Sequence, residues 1–186
     1  MRSLVQEFLP HAPQHGLYLA PEIPDEKVQA ALKDYAADVR PDAVLALYDA
    51  TRFGSAKDGA VFLADRLVFQ NNDLQPAHVV RYEDVVRVDV RKLFLGGKKV
   101  ELDVNQGRAT ATHEMDFAAH GEAADYVARF LNEAMHRSHL APRGTGTTAA
   151  GSDVRAVERA LNDLRRAGTL ADADYRRLLD ALREGA

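Results

Sequence analysis

The stretch TRFGSAKDGAVFLADRLVFQN, residues 51–71, holds Gly54 and Gly59 with four residues between them and Lys57 inside. That spacing raises the question of phosphate binding. A phosphate-cradling loop follows its second glycine with Lys and then Ser or Thr, and it opens a helix whose first amides face the anion. Here Ala60 and Val61 follow Gly59, and the next residues have strand character. Ser55–Gly59 therefore reads as a turn between two strands, in which Gly54 and Gly59 supply backbone angles that side chains disfavour.

Histidines are the next candidates for chemistry. His113-Glu114 begins a zincin-like string, but the following histidine is His120, outside the i+4 spacing that a metal-binding helix needs. His136 and His139 lie three apart at the end of an expected helix. They lack further metal ligands and suit the negative end of the helix dipole instead. His11 and His15 sit in a proline-rich segment. Ser3, Ser55, Ser138 and Ser152 stand outside any Gly-x-Ser-x-Gly elbow. The carboxylates are scattered over solvent-facing positions. With no cysteine, disulfides and cysteine-ligated zinc are excluded. No catalytic residue, metal or cofactor is assigned.

The densest positive stretch is Arg87, Arg91, Lys92, Lys98 and Lys99, which against Asp89 is locally +4. Such a patch can meet an acidic partner or a lipid headgroup. Leu93 and Leu95 beside it add apolar contact, so Arg87, Arg91, Leu93, Leu95, Lys98 and Lys99 form the candidate interaction patch. The whole chain carries −4, which gives no general attraction for nucleic acid and disfavours a membrane surface. No apolar run reaches the roughly 18 residues of a membrane span, and the N-terminus does not read as a signal peptide. A cytoplasmic protein is expected. Arginine in excess of lysine, with abundant alanine, fits a GC-rich bacterial genome.

The elements that would position these residues follow from periodicity. Residues 1–24, with Pro10, Pro13, Pro21 and Pro24, read as an extended surface strap containing a short strand at 16–20. Apolar residues at helical spacing, Val28, Ala31, Leu32, Tyr35 and Val39, predict a helix over 25–39. Strands are expected at 43–49, 60–64, 67–70, 77–82, 84–95, 98–104 and 107–117, with a hairpin turn at Asp65-Arg66. In the 84–104 hairpin each strand must keep its apolar face on one side. A two-residue Gly96-Gly97 turn would mix the faces. A three-residue loop, 96–98, is preferred, setting Val90 opposite Val104, Phe94 opposite Val100 and Arg91 opposite Asp103. A final helix over 120–138, with Ala123, Tyr126, Val127, Phe130 and Ala134 on one face, would cover the sheet.

Residues 139–152, rich in Gly, Thr, Ser and Ala, read as a flexible linker. Residues 153–186 read as two short amphipathic helices. Val157, Leu161 and Leu164 mark the first, Gly168 ends it, and Leu170, Tyr175, Leu178, Leu179 and Leu182 follow. A unit this small buries little alone, so its apolar stripe calls for another copy or the first domain.

The arrangement is α+β: antiparallel strands closed by one helix. In particular, Lys57-Asp58-Gly59, the Leu63–Leu67 hairpin and Tyr82-Glu83-Asp84-Val85 resemble the pleckstrin-homology-like (PH-like, GRAM-like) domains of bacterial proteins. That resemblance covers roughly 43–137 and implies a PH-like antiparallel sheet or barrel capped by its C-terminal helix, within a domain over 25–138. Residues Leu161, Leu164, Gly168, Leu170, Asp172, Asp174, Tyr175 and Leu179 resemble the SHOCT family of short C-terminal helical hairpins. In that family Ser or Thr usually caps the second helix. Here Ala171 stands at that position, so the cap comes from Thr169 or Asp172 or is absent. Together the resemblances imply a non-enzymatic adaptor: a protein- or peptide-binding domain, self-associating through Val157, Leu161, Leu164, Leu170, Tyr175, Leu178, Leu179 and Leu182. The alternative is a peripheral lipid-binding module using the basic 87–99 hairpin.

Overall fold

The structure is a computed structural model that describes residues 1–94 and 96–140. Of the expected linker 139–152, His139 and Leu140 belong instead to the last helix; the rest of it, Leu95 and all of the expected C-terminal hairpin, including Val157, Leu161, Leu164, Leu170, Tyr175, Leu178, Leu179 and Leu182, lie outside the described residues.

The described chain is α+β. Helix α1 (Arg2–Phe8) and strand β1 (Leu17–Leu19) precede helix α2 (Asp25–Asp34). Strands β2 (Ala46–Asp49), β3 (Gly59–Phe62), β4 (Arg66–Gln70) and β5 (His78–Arg81) follow, then β6 (Val85–Lys92), β7 (Lys98–Asn105) and β8 (Thr110–Phe117), and helix α3 (Gly121–Leu140) closes the series. Two antiparallel sheets result, of five strands in the order β1-β2-β3-β4-β5 and of three in the order β6-β7-β8.

The central strands of the larger sheet read as continuous apolar runs because both of their faces are covered. Ala46, Tyr48, Ala60, Phe62, Leu67 and Phe69 turn into a core shared with the smaller sheet, α1 and α3. Leu47, Val61 and Val68 turn the other way, into a second core with Val28, Ala31, Tyr35 and Val39. Phe130 of α3 sets its ring edge-on to Phe62 and Tyr82, each 5.6 Å away. Burying one such ring contributes about 1.5–3 kcal/mol.

Four sequence expectations need correction. First, the N-terminal strap is not extended throughout. Residues Arg2–Phe8 form a helix whose Leu4 and Val5 are buried, and Arg137 of α3 lies 3.6 Å from Glu7. Second, α2 stops at Asp34 rather than at residue 39. Tyr35, at φ −138° and ψ −6°, takes the chain out of the helix, and from there Tyr35, Ala36 and Val39 still reach the core. Third, the β3–β4 turn falls one residue early, at 64–65, closed by the Leu63 amide donating to the Arg66 carbonyl at 2.9 Å.

Fourth, the β6–β7 register differs. Val90 pairs with Val100, Val88 with Leu102, Arg87 with Asp103 and Arg91 with Lys99. The ladder ends at the pair Lys92 and Lys98, so the loop is longer than expected. The displacement is an even number of residues, which keeps the side chains of β6 from Arg87 onward on the faces that alternation assigns. Phe94, expected opposite Val100, is instead fully exposed at the loop. A bulge between Val85 and Arg87 turns Val86 to solvent.

Candidate interaction surface

Because β3 lies antiparallel between β2 and β4, Asp49, Gly59 and Gln70 sit side by side. The β2–β3 loop (50–58) and the β4–β5 segment (71–77) therefore emerge at one end. The Asn71 side chain donates to the Glu114 carbonyl at 2.7 Å and accepts from the Asp116 amide at 2.9 Å, which binds this end to β8. A cleft of about 270 Å³ opens there, lined by Ala50, Arg52, Asn71, Asp116, Ala118 and Ala119.

The β2–β3 loop is held from beneath by a buried ion pair. Lys27 of α2 places its Nζ 2.7 Å from Asp49 Oδ2, with side chains only 9% and 2% exposed. The same Nζ donates to the Gly54 carbonyl and lies 5.0 Å from the Tyr18 ring centroid. Asp49 Oδ1 accepts from both the amide and the hydroxyl of Thr51, and Thr51 Oγ1 accepts from the Ser55 amide at 2.7 Å. Burial works to lower the Lys27 pKa, but the hydrogen bond and charge of Asp49 outweigh it, and the net shift is upward. Ala56 is fully buried at φ +54°, a conformation non-glycine residues seldom adopt. Beside this network Tyr35 is buried with its hydroxyl unpartnered, and burial drives its pKa upward. Asp58 is raised too, by burial first and then by the charge of Asp73.

This hydrogen-bonded base carries apolar tips. Phe53 is 94% exposed and Leu74 is 96% exposed. Gly59, at the foot of the loop, has φ +140°, and a Cβ there would lie 1.9 Å from the Tyr48 carbonyl oxygen. Its conformation serves a strand–loop junction, as the sequence indicates, and no helix begins there.

The basic patch fares differently. Arg87 pairs with Asp89 at 2.6 Å, Arg91 with Glu101 at 2.8 Å, Lys99 with Glu114 at 2.6 Å, and Lys98 with Asp125 of α3. Arg91 is neutralised by Glu101 and not by the Asp103 that the expected register placed opposite it. Lys92 has no ion pair among the described residues. Leu93 is half-buried next to this cluster.

The histidines are spread over the fold. His139 bonds through Nε2 to the Glu83 carbonyl at 3.1 Å, and His15 lies 2.9 Å from Glu122. His113 faces His78 across the gap between the sheets. Among the described residues no group of three His, Cys, Asp or Glu could hold a metal ion. A second depression of about 440 Å³ runs between α2 and residues 41–44. Its polar lining, Arg2, Asp25, Gln29 and Asp42, is wholly at the solvent-exposed rim. No described helix is long and apolar enough to cross a membrane.

Sequence reasoning missed Lys27 and Asp49. A signal existed: Lys27, Ala31 and Tyr35 follow at i, i+4, i+8 on one helix face. Asp49 ends an otherwise apolar strand run.

No family model, no curated protein and no solved structure matches the chain.

Proposed function

We propose that the chain is a non-enzymatic adaptor. Its PH-like domain, residues 25–138, binds a protein or peptide through the loop end, and its SHOCT-like tail, residues 153–186, joins copies together. The PH-like reading draws on the succession of two antiparallel sheets and a closing C-terminal helix.

One observation carries the binding reading: Phe53 and Leu74 are fully exposed on segments anchored by a buried ion pair and by Asn71. A buried Lys–Asp pair is costly to desolvate. A strained Ala56 adds to that cost. Held this way, a solvent-facing aromatic ring meets a partner without losing loop entropy, which favours affinity. Aromatic anchors of this kind are typical interface hot spots.

A protein fits better than an anionic bilayer. The cations Arg87, Arg91, Lys98 and Lys99 are each engaged by a carboxylate. At the loop end Arg52 and Lys57 stand among Asp58, Asp73 and Asp116, so no net positive charge gathers there.

The test compares full-length wild type with the double variant Phe53→Ser, Leu74→Ser, both checked for native circular dichroism. Immobilised wild type is expected to retain a protein from cell extract that then binds in purified form, with the variant about tenfold weaker or worse. Equal retention by the variant would remove the loop end from the account. Co-sedimentation with phosphatidylserine vesicles, abolished in the variant, would move the reading to lipid.

A further inference from the structure

Two histidines face each other across the open corner between the sheets. In β5, His78 shares a face with buried Val80, while Val79 turns to solvent. In β8, His113 shares a face with buried Met115 and Phe117. Both imidazoles thus occupy inward positions where apolar side chains would be expected. Their centroids are 4.8 Å apart, and His78 also lies 5.0 Å from the ring of Phe69, its direct partner on β4.

Among the described residues the surroundings offer no counter-charge. Phe69 of β4, Val80 of β5, Leu102 of β7, and Ala111 and Met115 of β8 share the inward faces. On the same elements, Arg81 pairs with Glu83, Glu114 pairs with Lys99, and Asp103 accepts from Thr112, all on outward faces. Asp116 also turns outward and accepts from the Ala118 amide. In the 71–77 segment the charge of Asp73 acts on Asp58, helping to raise its pKa. Burial, and then His78, hold the His113 pKa below its ordinary value.

Among the described residues β5 is an edge strand of four residues, paired with β4 alone. Val80 anchors β5 in the shared core and Asn71 ties the start of the 71–77 segment to β8, while at the start of β5 itself the contact with β8 is the one between the two histidines. We propose that His78 and His113 form a pH-operated latch: with both rings neutral they hold β5 and the 71–77 segment against β8, and protonation releases them. A proton placed on His113 would be half-buried, with no carboxylate facing it among the described residues. Because the folded His113 takes up a proton less readily than the unfolded one, its contribution is present above the unfolded value of 6.5. That contribution is lost as pH falls through that value and below it. Since Leu74 rides on the released segment, acidification would also weaken the proposed binding face. That consequence rests on the adaptor reading, whereas the latch does not.

Backbone amide hydrogen exchange on the full chain, without any partner, tests the latch. Rates at about pH 7.5 and about pH 5.5 would be corrected for intrinsic pH dependence. The amides of β5 and of 71–77 are expected to lose about tenfold in protection at the lower pH, with those of α3 unchanged. In His113→Leu the loss is expected to vanish, and His78→Gln gives a second route should the leucine variant fold poorly. Unchanged protection in wild type, the same loss in a folded variant, or a uniform loss that includes α3 would overturn the proposal.

Discussion

Lys27 and Asp49 decide the behaviour of the loop end at the scale of single residues. Removing one partner leaves a buried charge, so Lys27→Ala is expected to cost about 3–5 kcal/mol in urea unfolding near neutral pH. Replacing both, Lys27→Met with Asp49→Leu, is expected to recover most of that stability while loosening residues 50–58, which backbone NMR relaxation would register. The pair also sets a pH dependence. The Lys27 pKa is raised above its ordinary 10.5, so the stabilisation is fully present below that value and is lost as pH climbs through the higher folded one. Wild type and the double replacement should therefore converge in stability on the alkaline side. A constant difference across that range would show that the pair's charge is not what stabilises.

At the scale of elements, the glycines in loops separate two kinds of constraint. Gly59 combines φ +140° with a Cβ position 1.9 Å from the Tyr48 carbonyl, and Gly97 combines φ +78° with one 2.7 Å from the Ala118 Cα. Gly96, at φ +92°, has nothing within 4 Å. Gly97→Ala is expected to cost about 2–4 kcal/mol and Gly96→Ala about 1 kcal/mol, read from thermal or denaturant unfolding. Equal costs would mean that the contact with Ala118 does not pin the β6–β7 loop.

That loop also shows what the chain makes legible. Alternation assigns faces over 87–92 and 98–104, because side chains alternate regardless of partner, but not across the bulge at Val86. It does not assign partners. Registers displaced by an even number of residues satisfy the same faces, and the close approach of Gly97 to the β8–α3 turn is a tertiary fact. The strands from 43 to 117 and the α3 stripe could be read for the same reason, with boundaries shifted by a few residues. Helix α1 could not, since its short apolar run before Pro10 acquires meaning only from packing on α3. The candidate site was legible only in part. The turn at 55–59 is evident from its glycines, whereas the exposure of Phe53 and Leu74 depends on how the neighbouring loops fold.

On the scale of the whole molecule, one binding face per chain would give weak and transient contacts. Joining copies raises apparent affinity through effective concentration without adding any contact. In the adaptor reading this task falls to residues 153–186, and residues 1–140 have the cores needed to fold without them. The direct measurement is light scattering behind size exclusion, on the full chain and on residues 1–140. The full chain is expected to run as a multimer and the truncated chain as a folded monomer. The same oligomeric state for both, whether monomer or multimer, would contradict an adaptor assembled by its tail.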